Sequence, residues 1–432
     1  MVAPALATAD VVVVGAGSAG CVAADRLSRD RSRTVLLLDA GPGTRPEDSQ
    51  TSLARLPIEP GAPRVRRYPE SRGRDVVRGA GLGGSSVVNG GYFLRGHRDD
   101  YATWPWPIDR IEAEFASLEQ VMSVSAFADD ELGTVATAFE AYWGRAAVTG
   151  RSPRAEDSAW PTVGLNRVRS NRRDGRRVTA ADAFLTEAFL TETFLAADPA
   201  APRPGLRVVG DCPVDELLVA GGRVTGVHTA LGRVDAPAVV LAAGALGSAA
   251  LLLPFLGPDL PVHEHAERLV RFAARRPVEA PALLQTVLHT ADALEIRCYG
   301  DDFAAFINGV PASGIAVGVA DMGAGTRGSI TSAGVDLGVP DAESLRRIDG
   351  GVDLVREMLH APELADLVVS GSVRVDENVG MSSHAWGTVP LGLGRDIDGL
   401  HVLDGAALPG PLRSGPHASV MAMAGLIAAE IS

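Results

Sequence analysis

The chain has 432 residues, 40 basic against 53 acidic ones for a formal net charge of −13, and every basic residue is arginine. Without lysine, a P-loop, a pyridoxal-phosphate site and a Schiff-base aldolase are all excluded. At about 150 residues per domain the length predicts two or three domains, and the acidic balance argues against a nucleic-acid partner. Three cysteines (Cys21, Cys212, Cys298) without a CxxC pair predict neither a disulfide framework nor a zinc ribbon, and fit a reducing cytoplasm.

Val11 to Val14 is an unbroken β-branched run, suited to a strand buried on both faces. Gly15-Ala16-Gly17-Ser18-Ala19-Gly20 follows at once, then a helical stretch from Cys21 to Arg29 and a second apolar strand, Thr34 to Leu38, ending at Asp39-Ala40-Gly41. This is the dinucleotide fingerprint in its strand–turn–helix setting. Gly15 makes the tight turn, Gly17 lets a pyrophosphate approach the backbone, and Gly20 lets the helix pack on the strand. Ser18 and Ala19 complete the turn that leads into the helix, whose N-terminus favours phosphate charge. Asp39 stands where a carboxylate accepts ribose hydroxyls. The unit does not by itself separate NAD from FAD. Cys21 reads as a packing residue.

Thr44 to Asp75, rich in Pro, Arg and Ser, reads as a surface excursion, and Gly79 to Gly91 is a second glycine cluster. Such a loop brings backbone N–H groups close to an anionic cofactor. Ile108 to Met122 has helical spacing, Ser152 to Arg177 reads as polar loop, and Ala180 to Leu195 as helix. Leu206 to Val240 reads as hairpin strands returning to the main sheet. Ala236 to Leu256 is long enough to cross a bilayer, but Gly244, Gly247 and Pro254 make it a strand, a turn and a core helix. From Pro261 to Ser382, short strands and one helix, Leu345 to Leu359, suggest a separate α+β layer. The chain closes with a strand, Leu400 to Leu403, and a small-residue helix from about Ala418. Neither a signal peptide nor a transmembrane segment is expected; peripheral membrane contact is left open.

The run Arg78-Gly79-Ala80-Gly81-Leu82-Gly83-Gly84-Ser85-Ser86-Val87-Val88-Asn89-Gly90-Gly91, continued by Tyr92, Arg95-Gly96 and Asp99-Asp100-Tyr101, resembles the first signature of the glucose–methanol–choline (GMC) flavin oxidoreductases. Cys212-Pro213-Val214-Asp215 looks like the family strand whose Val meets the adenine end of FAD, Ala243-Gly244 like its AGA turn, and Asp404-Gly405 like the C-terminal segment that meets the flavin. Ser382-Ser383-His384-Ala385-Trp386-Gly387-Thr388 resembles the motif carrying the active-site base. Arg413-Ser414-Gly415-Pro416-His417-Ala418-Ser419 resembles the second-site motif, where the family has His or Asn.

The resemblance implies an α/β fold. An FAD-binding Rossmann-like domain is expected from 1–110, 165–262 and 385–432, with a smaller α+β substrate domain from 111–164 and 263–384. It implies an FAD-dependent enzyme oxidising a CH–OH group. His384 would take the O–H proton, His417 would orient the substrate oxygen, and flavin N5 would take the hydride. Some members attach FAD through a His just before the signature Asn; Val88 stands there, so FAD is expected to be non-covalent. The C-terminal helix, with His417, Ala418 and Ser419 at its start, would direct its positive end at the flavin. Arg78 is the expected side-chain cation near the pyrophosphate. No metal site is expected: His263-x-His265 shows no third ligand in sequence. His97 reads as part of an exposed continuation of the signature, and His289 matches no motif.

The chain is shorter than most family members, and on length and composition it is similar to the subgroup associated with mycofactocin, a peptide-derived redox cofactor. That resemblance implies a reduced redox peptide, in place of a small alcohol, as the electron donor and a respiratory acceptor. Two other readings remain at this level. A nicotinamide dehydrogenase leaves 78–91 and 382–419 unexplained, and a non-catalytic electron-transfer flavoprotein needs neither His384 nor His417.

Overall fold

The computed structural model describes residues 7–144, 159–185, 204–391 and 397–431. A five-stranded parallel sheet runs in the order Leu206–Val209, Val35–Leu38, Val11–Val14, Ala238–Leu241, Leu400–Val402. Its central strands are fully buried, as their β-branched composition predicts. Ser18–Leu27 and His417–Ala428 pack together on one face, with Ile108–Val121 outside them. On the other face lie Gly244–Leu256 and an antiparallel meander of Val214–Ala220, Arg223–Thr229 and Gly232–Asp235. No described helix is long and apolar enough to cross a membrane.

The second main sheet has seven strands. Its path is Arg374–Val375, Ala266–Phe272, Ile315–Asp321, Leu294–Tyr299, Leu284–His289 and Gly164–Arg167, all antiparallel, and Gly380–Met381 also pairs with Ala266–Phe272. Ala342–Leu359 and Thr134–Trp143 cover one face of it. Strand alternation assigns the faces. Ile296 and Cys298 enter the helix-backed core, while Glu295, Arg297 and Tyr299 turn to the opposite side.

Two sequence expectations are corrected here, and a third is described only in part. Ser152 to Arg177 is not all loop, because Gly164–Arg167, Arg169–Arg173 and Arg176–Arg177 are strands. Their polar side chains hide the pattern; Arg167, for instance, pairs with Glu140 and Asp129. The helix expected over 180–195 is described only as Ala180–Phe184, and the rest of that range lies outside the described residues. The 44–75 excursion is not merely surface: it contains a short helix, Asp48–Thr51, and a strand, Val65–Tyr68, and buries Leu53 and Leu56.

Candidate active site

A cleft of about 1200 Å³ opens between the two sheets, at the carboxyl ends of the parallel strands. That is where α/β sheets place their ligands. Its lining includes Gly15, Gly17, Ser18, Ala19 and Asp39 from the first two strand ends, and Ala243, Gly244, Asp404 and Gly405 from the last two. Arg78, Gly79, Gly84, Ser85, Asn89 and Gly90 come from the second glycine loop. His384 and His417 line the same cleft, so residues from opposite ends of the chain share one cavity.

The two glycine loops touch backbone to backbone. Gly83 N–H donates to Ala16 O at 2.9 Å. Gly84 has φ +49°, and a Cβ there would sit 2.7 Å from Gly17 Cα, so only glycine fits. A Cβ on Gly20 would collide with the Gly15 carbonyl, which is the helix-on-strand approach expected of the third glycine.

Asp39 gathers these loops. Its carboxylate accepts from Ala16 N–H at 2.7 Å and from Gly41 and Gly81 N–H at 2.8 Å each. Asp404 ties the C-terminal strand to the Ala243-Gly244 turn, accepting from Gly244 N–H at 2.8 Å and the Ser248 hydroxyl at 2.5 Å. Burial raises its pKa to about 6.

His384 follows Ser383, whose φ is +64°. A non-glycine residue there is strained unless its surroundings hold it. Buried Glu264 does so: its carboxylate accepts His384 N–H at 2.7 Å, Ala385 N–H at 2.8 Å and His265 N–H at 2.9 Å. The His384 and His265 Nδ1 atoms lie 3.2 Å apart, so one must donate to the other. With His384 as donor, its Nε2 keeps a free lone pair. Burial, with the Arg297 guanidinium and His265 nearby, holds His384 well below the ordinary imidazole range. It is therefore neutral at pH 7 and able to accept a proton.

His417 opens the C-terminal helix. Its Nε2 lies 3.0 Å from Ser18 Oγ and its Nδ1 3.3 Å from Asn89 Nδ2, so it joins the two glycine loops. Burial lowers it to about 4. In this arrangement both ring nitrogens already face protein partners.

Several expected site residues have protein neighbours of their own. Arg78 faces Glu264 at 3.6 Å, so its charge is shared with the support behind His384. Val214 pairs with Thr229 at the start of a meander strand and is not among the cleft-lining residues. Ala40 is exposed beyond the strand end, and Gly41 packs on Gly81. Gly83 and Gly91 adopt positive φ and pack on Val87 and Leu53. Ala418 and Ser419 lie in the core, where the Ser419 hydroxyl bonds Tyr101 at 2.7 Å. His97 is 6% exposed, because it is tucked against His289 instead of continuing along the surface.

Glu264, Glu267, Glu295 and Arg297 had no sequence signal beyond charges in strand-like runs. Fold topology brings them together: Arg297 bonds Glu295 at 2.6 Å and Glu267 at 3.1 Å, all three buried. Glu264, His265 and His384 place ligand-type atoms within 4.8 Å of one another, which the sequence did not foresee. The Glu264 oxygens are committed to three N–H donors and face Arg78, the setting of a structural carboxylate.

The cleft suits FAD. Its length joins a phosphate-type glycine loop to a second glycine loop whose backbone any Cβ would block, and Arg78 Nη2 is buried there with no hydrogen-bond partner.

A GMC oxidoreductase family profile matches residues 9–254. A GMC-type oxidoreductase of Rhodococcus erythropolis is 29% identical over 496 aligned positions, covering 96% of this chain and 97% of that one. An oxygen-dependent choline dehydrogenase of Xanthomonas euvesicatoria is 29% identical, but the match covers 64% of this chain and 57% of the dehydrogenase. A pyridoxine 4-oxidase of Microbacterium luteolum is 30% identical over 57% of this chain and 52% of its own length. Among solved structures, pyridoxine 4-oxidase from Mesorbium loti superposes with TM-score 0.77 at 23% identity, covering 98% and 99% of the two chains. Formate oxidase of Aspergillus oryzae does so at 0.74 and 16%, covering 99% and 98%.

Proposed function

This chain belongs to the GMC oxidoreductase family of FAD-dependent flavoproteins, and from that premise we propose that it oxidises the CH–OH group of an alcohol. The observation that carries this reading is the convergence of both glycine loops, His384 and His417 on one cleft. Bound FAD would supply the hydride acceptor. Gly15 to Gly20 and Asp39 would hold its ADP half, and the 79–90 loop with Asp404 and Gly405 would hold the flavin end. Val88 lines the cleft without a nucleophilic atom, which supports non-covalent FAD.

The protein's share of the chemistry is proton handling and position. His384 Nε2 takes the alcohol proton. A His384 Nδ1–H donated to His265 would leave Nε2 free, and Glu264 fixes the backbone that aims the ring. His417 positions the two loops and, through them, the cofactor. The antiparallel sheet, built from 263–384 and the edge strand Gly164–Arg167, forms the substrate side. A reduced mycofactocin-type peptide is a finer version of the same donor chemistry, and a respiratory acceptor would follow from it.

The test is spectroscopic. Purified protein should carry a flavin band that a panel of alcohols, or a reduced redox peptide, bleaches without oxygen. A colourless protein that binds NADH would sink the reading. A flavin band that no donor bleaches would favour an electron-transfer role.

A further inference from the structure

Beneath the substrate side of the cleft, a hydrogen-bonded chain runs away from the site. The Tyr92 hydroxyl, in the cleft lining, donates to Glu295 Oε2 at 2.5 Å. His289 Nε2 lies 2.9 Å from the same oxygen, and His289 Nδ1 lies 2.8 Å from His97 Nε2. His289 and Glu295 are direct partners across two strands. Glu295, His289 and His97 are all buried, His97 least so at 6% exposed. His97 neighbours Asp99, a largely exposed carboxylate paired with Arg413.

The two donors onto Glu295 follow from the state of its carboxylate. Arg297, His289 and Tyr92 keep the Glu295 carboxyl ionised well below the ordinary range despite burial. An ionised carboxylate only accepts, so His289 Nε2 carries a proton. In the neutral form of His289 its Nδ1 is bare, and His97 Nε2, 2.8 Å away, is then the donor of that pair. Burial lowers His97 to about 3, so the ring is neutral at rest and would hold a second proton only in passage.

We propose that His97, His289, Glu295 and Tyr92 form a proton path from the surface into the cleft. A solvent proton binds His97 Nδ1. The His97 Nε2–H bond breaks as His289 Nδ1–H forms, and the His289 Nε2–H bond breaks as a Glu295 O–H forms. Glu295 protonates the Tyr92 oxygen while Tyr92 gives its own proton to an anionic oxygen in the cleft. No electrons move. The co-reactant class this path would serve is a quinone-type acceptor, whose reduced anion would need protons as well as electrons.

This inference rests on the reading that FAD occupies the cleft; failure of that reading gives a colourless protein and is visible before the test begins. The test uses flavin-loaded protein reduced with dithionite, so no alcohol is needed. His289→Gln retains an amide donor for Glu295 but cannot relay a proton. Reoxidation by a benzoquinone should slow by about a hundredfold, the low end of what a lost proton-transfer group costs. Reoxidation by ferricenium, which takes an electron and no proton, should keep its wild-type rate. Equal slowing with both acceptors, or none with either, overturns the path. Independently of any turnover, ¹⁵N NMR of histidine-labelled wild-type protein should show His97 and His289 as neutral Nε2–H tautomers. A resting Nδ1–H tautomer or an imidazolium at His289 overturns it too.

Discussion

The two walls of the cleft are made of different material. On the parallel-sheet side the polar surface is backbone: glycine turns, strand ends and one helix start, gathered by Asp39 and Asp404. On the antiparallel side it is buried side-chain charge, with Glu267, Glu295 and Arg297 in hydrogen-bonded contact. A backbone wall binds any dinucleotide of the right length and resists change through steric fit. A charged wall is specific and fragile, because each ion depends on its neighbour. The first suits a constant cofactor and the second a particular reaction.

Variants can break this contrast. His384→Ala should leave flavin bound, since backbone holds it, yet slow anaerobic flavin reduction by about 10²–10⁴-fold, the weight of a general base. Stopped-flow absorbance measures this, and an unchanged rate removes His384 as the base. Arg297→Met should leave two buried carboxylates without their cation and cost about 3–5 kcal/mol. The urea midpoint at pH 7 reads it, and an unchanged midpoint would mean that the charged wall is not charged.

The parallel-sheet side has its own pH signature. His417 is lowered to about 4 in the folded protein, so the unfolded chain binds the extra proton first. Its contribution is fully present above pH 6.5 and is lost as pH falls from there through about 4. Two and a half units amount to about 3 kcal/mol. His417→Asn keeps a polar partner for Ser18 and Asn89, and should flatten the fall in urea midpoint between pH 6.5 and 4. A slope equal to wild type would contradict the burial of this ring. The smallest effect is expected at Ser419→Ala, which removes a core hydrogen bond to Tyr101 and costs about 1 kcal/mol with flavin content unchanged. Lost flavin would return Ser419 to the cofactor site.

The backbone wall was legible because its requirements are local. GAGSAG between a strand and a helix, and Asp39 at the next strand end, state their geometry within one βαβ unit. Even there, Val214 pairs with Thr229 and the Ser419 hydroxyl bonds Tyr101, since a motif position does not say which way a side chain turns. In the charged wall, the alternation of Leu294 to Tyr299 marks two faces, and period two alone would send Glu295 and Arg297 to water. The fold instead closes that face against the cleft and buries all six residues.

The all-arginine composition and the glycine spacing by themselves determined what this protein cannot be and where a dinucleotide is expected, because backbone conformation is set by neighbours in sequence. Only the tertiary structure decided that Glu264 supports His384 from 120 residues away, and that His97 meets His289 across 192. Charges remote in sequence become partners only when the sheets that carry them meet, and burial then makes those pairings strong.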